Sequence, residues 1–248
     1  MLESLLDLVL PRRCLACGRP ASPRRAALGL CPRCRGQLLA AFHQTSCAGC
    51  GRPLAAAALP PGTRCGLCRR HPPAYDRLLA GWLYRPPLDA VIGALKFRRL
   101  EYLAPALGRE LGERLGAELE GLDGVVPLPL HWTRRWLRGF DQAEAIASGL
   151  AATIRVPLLP ALRRVRATPR QMRLARQARL RNPAGAFLAV QPLDGVRLAL
   201  VDDVATTGAT LSAAARALRR RGAKEVVATV VARTPRGEPS TAASSRVG

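Results

Sequence analysis

An apolar run that stops at two adjacent aspartates constrains this chain more than any other feature. Residues 198–210 read LALVDDVATTGAT. The run has the length of a buried strand, and Asp202 and Asp203 close it. A turn of small residues follows, with Thr206, Thr207 and Thr210 around Gly208. An alanine-rich pattern at helical spacing then runs from Ala209 to Arg221. Strand, acidic pair, turn and helix start together suit a sugar phosphate. Backbone N–H groups of the turn and helix N-terminus can face an anion. Threonine hydroxyls add donors, and two carboxylates are acceptors for a pair of ribose hydroxyls. A buried strand with a threonine-rich helix cap is the plain alternative. The turn holds no GxxxxGK[ST] and no lysine, and GxGxxG is absent, so a P-loop and a dinucleotide fingerprint are both excluded.

The chain on either side supplies companions for that strand. YDRLLAGWLY at 75–84 reads as a strand pair or an edge element. PLDAVIGALKFRR places Leu88, Val91, Ile92 and Leu95 on one helical face, and 101–119 continues as helix. GVVPLPL at 124–130 is a short buried strand, DQAEAIASGLAAT a helix, and KEVVATVVA from 224 the last strand. Strands alternating with helices predict a mostly parallel sheet, with ligands at the carboxyl ends of its strands. Two basic segments adjoin that end. PLPLHWTRRWLRGFDQAEA at 127–145 brings Arg134, Arg135 and Arg138 with Gly139, a set able to grip a pyrophosphate. His131, in the same segment, reads as a solvated or capping residue. The stretch 163–187 is too basic for a core and reads as an active-site lid or a surface helical hairpin.

The eight cysteines form four CxxC pairs, all between residues 14 and 68. CLACGRP at 14–20 repeats as CAGCGRP at 47–53, and CPRCR at 31–35 as CGLCR at 65–69. Four thiolates in two close pairs are a tetrahedral zinc set. Redox pairs and disulfides fit this spacing poorly. Ligands within each repeat give Cys14, Cys17, Cys31 and Cys34 for one Zn²⁺, and Cys47, Cys50, Cys65 and Cys68 for the other. Pairing across the repeats stays open. His43 and His71 are not needed as ligands.

Formal net charge is +22, and all but Lys96 and Lys224 of the 39 basic residues are arginine. Arginine is the better bidentate phosphate ligand, yet a GC-rich coding sequence produces the same skew. The zinc module opposes its arginines only with Glu3 and Asp7 and carries little aromatic surface for base stacking. It can bind nucleic acid, bind protein, or dock on its neighbour. No apolar run reaches the length of a membrane span. The opening MLESLLDLVLPRR carries Glu3 and Asp7 and lacks a basic n-region, so it reads as a short amphipathic helix rather than a secretory signal. The expected location is the cytoplasm, with no membrane insertion.

Three segments together resemble one family. LVDDVATTGAT is similar to the phosphoribosyl-pyrophosphate (PRPP) motif of type I phosphoribosyltransferases. VPLPLHWTRRWLRGFDQAE and TPRQMRLARQARLRNPAGAF resemble the PxP…RGFNQAE and TxxQxxLxxxxRxxNxxgaF segments of ComF proteins, the competence-associated branch of that superfamily. The four CxxC pairs match that family's N-terminal zinc region. The chain departs at Asp141, where the family has asparagine, and an acid facing pyrophosphate would repel it, so Asp141 ranks low as a ligand.

The resemblance implies a type I phosphoribosyltransferase-like α/β fold, a mostly parallel sheet flanked by helices and preceded by a small double zinc ribbon. The expected boundaries are 1–72 for the ribbon, 73–233 for the phosphoribosyltransferase-like domain and 234–248 for a disordered tail. It also implies a PRPP site. Asp202 and Asp203, also the expected catalytic pair, would hold the ribose hydroxyls. Ala205, Thr206, Thr207, Gly208, Ala209 and Thr210 would bind the 5′-phosphate, and Arg134 or Arg135 the pyrophosphate. Mg²⁺ would enter with PRPP. Three functions stay open: a PRPP-binding factor in DNA uptake during natural transformation, an active phosphoribosyltransferase on an unidentified acceptor, and a zinc-ribbon adaptor for single-stranded DNA or a competence helicase.

Overall fold

The computed structural model describes residues 13–21, 27–40, 45–54, 59–60, 62–130, 140–165 and 185–235. The amphipathic helix expected at the start, His43, the segment with His131, Arg134, Arg135, Arg138 and Gly139, most of the basic stretch (166–184) and the tail from 236 lie outside them.

Among the described residues, four strands form one parallel sheet. They are β1 (Arg77–Leu83), β2 (Gly124–Pro127), β5 (Arg197–Ala205) and β6 (Glu225–Arg233), in the order β1-β6-β5-β2. The strand expected to end in the acidic pair is therefore central. Its apolar run is buried on both faces, as a parallel sheet demands. Ala199 and Val201 face one apolar cluster, and Leu198 and Leu200 the other. YDRLLAGWLY resolves to the single edge strand β1, paired with β6 alone.

Two layers cover the sheet. On the first face lie α3 (Leu88–Phe97), α4 (Leu103–Leu115) and α5 (Gln142–Ile154). Gly108 of α4 and Gly149 of α5 let these two helices touch backbone to backbone. A Cβ on Gly108 would stand 2.0 Å from the Ile146 carbonyl oxygen. On the second face lies α6 (Ala209–Arg219) with a two-stranded antiparallel ribbon of β3 (Leu162–Arg164) and β4 (Phe187–Ala189). That ribbon corrects one expectation. Arg163 and Arg164 complete a strand that Leu162 begins rather than entering a lid or a helical hairpin, because Leu162, Phe187 and Ala189 are buried against α6, and the Arg164 guanidinium lies 5.3 Å above the Phe187 ring.

The cysteine-rich segment docks on the same body. It contributes α1 (Pro32–Ala40) and the short α2 (Gly66–Arg70). Cys14, Leu30, Cys31, Cys34 and Leu38 share one apolar cluster with α4 and α5. Trp82 of β1 donates its indole N–H to the Leu38 carbonyl at 3.1 Å, and Arg35 pairs with Glu110 of α4. Of the three roles the sequence allowed this module, docking on its neighbour is the one visible in the fold.

Candidate phosphate-binding site and zinc centres

Successive strand residues point to opposite faces. Asp203, in phase with Ala199 and Val201, turns toward the α3 side. Lys96 meets it there, with Nζ 2.8 Å from Asp203 Oδ2. Asp202, in phase with Leu198 and Leu200, turns toward α6. Its Oδ1 accepts the Asp203 backbone N–H at 2.8 Å. Burial, then the charge of Asp203, push the Asp202 carboxyl up to about 8. The Asp203 N–H and Lys96 act in the other direction without reversing it. The carboxyl end of β5 thus holds one ion-paired acid and one that resists ionisation.

The turn beyond it leads directly into a helix N-terminus. Thr206 and Thr207 are exposed. Thr207 Oγ1 accepts the Ala209 N–H at 3.3 Å, and Ala209 and Thr210 open α6. Gly208 caps that helix in the left-handed region, at φ 77°, where a side chain is strained. There is no room for one either, since a Cβ on Gly208 would stand 2.6 Å from Tyr75 Oη. Tyr75 is itself buried under the turn. The carbonyl oxygens of Ala205 and Thr206 are taken by the guanidinium of Arg233, the residue paired with Ala205 in the register.

Asp141 caps α5. Its Oδ1 accepts the N–H groups of Ala143 at 3.1 Å and Glu144 at 3.3 Å, and its Oδ2 that of Leu130 at 3.2 Å. A carboxylate engaged by three backbone donors serves the helix start, which accounts for an acid at this position.

The eight cysteines fall into two clusters, Cys14/Cys17/Cys31/Cys34 and Cys47/Cys50/Cys65/Cys68, each with its sulfurs within 4.8 Å of one another. Pairing is therefore within each repeat, and His71 belongs to neither set. Neighbouring sulfurs stand 3.7 Å apart for Cys17 and Cys31 and 3.9 Å for Cys50 and Cys65. A tetrahedral ion with Zn–S bonds of about 2.3 Å sets sulfurs about 3.8 Å apart. A disulfide would hold them at roughly 2.05 Å.

The cluster chemistry asks for a cation. Cys34 is pushed up to about 12 by burial and by the sulfurs of Cys31, Cys17 and Cys14, and Cys68 is raised by burial and by Cys50. Cys14 goes down to about 6, because backbone hydrogen bonds from Cys31, Cys17 and Ala16 outweigh its burial. Four sulfurs this close ionise together only around a metal. The two sets are structural zinc sites.

Two domain families match the chain: the double zinc ribbon domain over residues 5–70 and the phosphoribosyl transferase domain over residues 138–245. The chain is 34% identical over 233 residues to the DNA utilization protein YhgH of Salmonella typhimurium, across 92% of this chain and 99% of that protein. It is 31% identical to Competence protein F of Haemophilus influenzae, across 86% of this chain and 93% of that one. The chain belongs to the ComF family. Among solved structures, the glutamine PRPP amidotransferase of Bacillus subtilis aligns with 52% of this chain, at 24% identity and a TM-score of 0.37. The chain spans about a quarter, 26%, of that enzyme's length.

Three site residues of this ComF chain escaped sequence reasoning. Lys96 carried a signal, being one of two lysines among 39 basic residues. Arg233 had a weaker one, as the charge ending the apolar strand VVATVVAR. Tyr75 had none, because its approach to Gly208 spans more than a hundred residues of sequence.

Proposed function

We propose that this chain binds Mg–PRPP at the carboxyl end of β5 and uses that site in the handling of DNA. One observation carries the reading: an acid pair ends a central parallel strand and leads into a turn whose carbonyls are held inward by Arg233. Turning the carbonyls away is what an anion-cradling loop requires. In this reading Asp202 and Asp203 accept from the ribose 2′- and 3′-hydroxyls. The backbone from Ala205 to Ala209, with Thr206, Thr207 and Thr210, takes the 5′-phosphate at the start of α6. Arg134 or Arg135 neutralises pyrophosphate, and Mg²⁺ arrives with the substrate. Catalysis by such a site consists of positioning and of neutralising the leaving charge as pyrophosphate departs. The DNA context is supported by the relatives named for DNA utilization and competence.

Calorimetry with Mg–PRPP tests the reading directly. Wild type is expected to release heat on binding, and the Asp202→Asn/Asp203→Asn variant to release none. Absence of heat from folded, two-zinc wild-type protein would overturn it. Pyrophosphate release in the presence of an acceptor would add a transferase activity to the binding role.

A further inference from the structure

The second zinc knuckle and the β5–α6 turn are tied by one buried side chain. Arg233 closes β6 and is 3% exposed. Its Nε donates to the Cys50 carbonyl at 2.6 Å. One terminal nitrogen donates to the carbonyls of Ala205, at 2.8 Å, and Thr206, and at longer range, 3.3 Å, to that of Thr234. Cys50 is a ligand of the second metal set. Ala205 and Thr206 begin the turn. A planar guanidinium with donors in a fixed fork spans the two segments, which a lysine cannot do.

The knuckle holds the neighbourhood of the turn at two more points. The Leu78 N–H donates to the Ala48 carbonyl at 2.9 Å. Gly51, at φ 65°, sits so close to Leu78 that a Cβ would stand 2.4 Å from Leu78 Cδ2. On the far side of the turn, the Ala74 N–H donates to Ser212 Oγ of α6 at 3.0 Å. Tyr75, next in sequence, fills the space under Gly208. The first knuckle docks elsewhere, on α4 and Trp82.

We infer that Arg233 is a positioning residue for the phosphate-binding turn, and that it couples the shape of that turn to the second zinc centre but not to the first. The inference rests on the Mg–PRPP reading of the site. The metal fixes the turn at Cys50 and so the direction of its carbonyl. That carbonyl anchors the guanidinium, and the guanidinium holds the carbonyls of Ala205 and Thr206 away from the ligand. Loss of the anchor frees those carbonyls to rotate toward a phosphate, which repels it.

Arg233→Lys keeps the charge and loses the fork. Mg–PRPP affinity is expected to fall about tenfold or more, the scale of a lost charge-assisted hydrogen bond. Both zincs should be retained by elemental analysis. Amide hydrogen exchange should quicken across 205–211 and stay slow across 198–201 of β5. Arg35→Ala, which loosens the first knuckle, should leave affinity within about threefold, as for a partly exposed ion pair. Folded, two-zinc Arg233→Lys with wild-type exchange across 205–211 overturns the inference.

The exchange measurement needs no ligand, so it decides the clamp even if wild type gives no heat with Mg–PRPP and the binding reading fails. Should Arg233→Lys not fold, Cys65→Ser asks the same question from the metal side. It is expected to quicken exchange across 205–211, and unchanged exchange after loss of the second zinc overturns the coupling.

Discussion

Lys96 Nζ stands 2.8 Å from Asp203 Oδ2, joining the last turn of α3 to the acidic end of β5. Both side chains are largely buried, at 20% and 15% exposure, so the pair is screened less than a surface one. In a chain with two lysines among its 39 basic residues, a compact ammonium on a flexible stem stands here.

Lys96→Met removes the cation that opposes ionisation repulsion between the two aspartates. Asp202, which Lys96 holds down, then rises further. Ribose hydroxyls need the ionised acceptor, so Mg–PRPP affinity should drop at neutral pH and recover in alkali. Calorimetry across pH is expected to show the midpoint of binding moving up by about one unit. An unmoved midpoint would separate Lys96 from the acid pair.

Asp202 also makes a stability prediction for the free protein. Its folded pKa is raised from 3.8 to about 8, so the native state prefers the proton. The stability it contributes is complete below the unfolded value and is lost as pH rises from about 4 to about 8. Asp202→Asn keeps an acceptor for the Asp203 N–H and has no charge to desolvate. Its melting temperature should match wild type at or below about pH 4 and exceed it near pH 8. After allowance for partial exposure, a gain of ~1 kcal/mol corresponds to about 2–4 °C. Equal melting at both pH values would rule out a strained carboxylate.

The mostly parallel character of the sheet, the strand–turn–helix and the four CxxC pairs were legible in the chain, because each is a local pattern; the strand order was not, and pairing across the cysteine repeats stayed open. Period-2 burial places Leu198 and Leu200 against one layer and Ala199 and Val201 against the other. CxxC spacing brings two sulfurs to one ion. Contacts between segments far apart in sequence left no such trace. Arg233 reaches Cys50 across 183 positions, and Trp82 reaches Leu38 across 44. Which of the two knuckles would lie against the turn was equally illegible, since the repeats are nearly identical in motif. Asp141 shows a middle case. Its capping role follows from the helix start behind it, yet a likeness to a family with asparagine there drew attention to the ligand instead.

Trp82 is the key of the first docking surface. Its indole N–H meets the Leu38 carbonyl, and the Arg114 guanidinium lies 4.7 Å above its ring. Trp82→Phe strands a buried carbonyl and should cost about 1–3 kcal/mol. Trp82→Ala also opens a cavity and should cost about 3–5 kcal/mol. Chemical denaturation measures both. A loss below 1 kcal/mol for the alanine variant would contradict a fused core.

The fused core also fixes how zinc removal should look. Cys14, Cys31 and Cys34 lie in one apolar cluster with Leu107 and Leu111. Elemental analysis is expected to find two zinc ions per chain, and chelation to lower the melting temperature of the α/β sheet itself. A sheet that melts unchanged after both ions leave would mean that the ribbon merely rests on it.

Gly208 and Tyr75 separate two kinds of strain. Gly208→Ala meets two penalties: a left-handed φ of 77° and a Cβ 2.6 Å from Tyr75 Oη. The first costs about 1–2 kcal/mol and is intrinsic to any L-residue. The second depends on a single oxygen. Tyr75→Phe removes that oxygen and leaves the ring in place. Gly208→Ala alone should therefore destabilise by more than the backbone penalty and weaken Mg–PRPP binding by distorting the start of α6. The double variant should regain the steric part and keep the backbone part, giving a coupling energy of about 0.5–3 kcal/mol. Denaturation of the four proteins in the cycle measures it. Strict additivity would mean that Tyr75 does not shape the turn, and that backbone conformation alone demands glycine at 208.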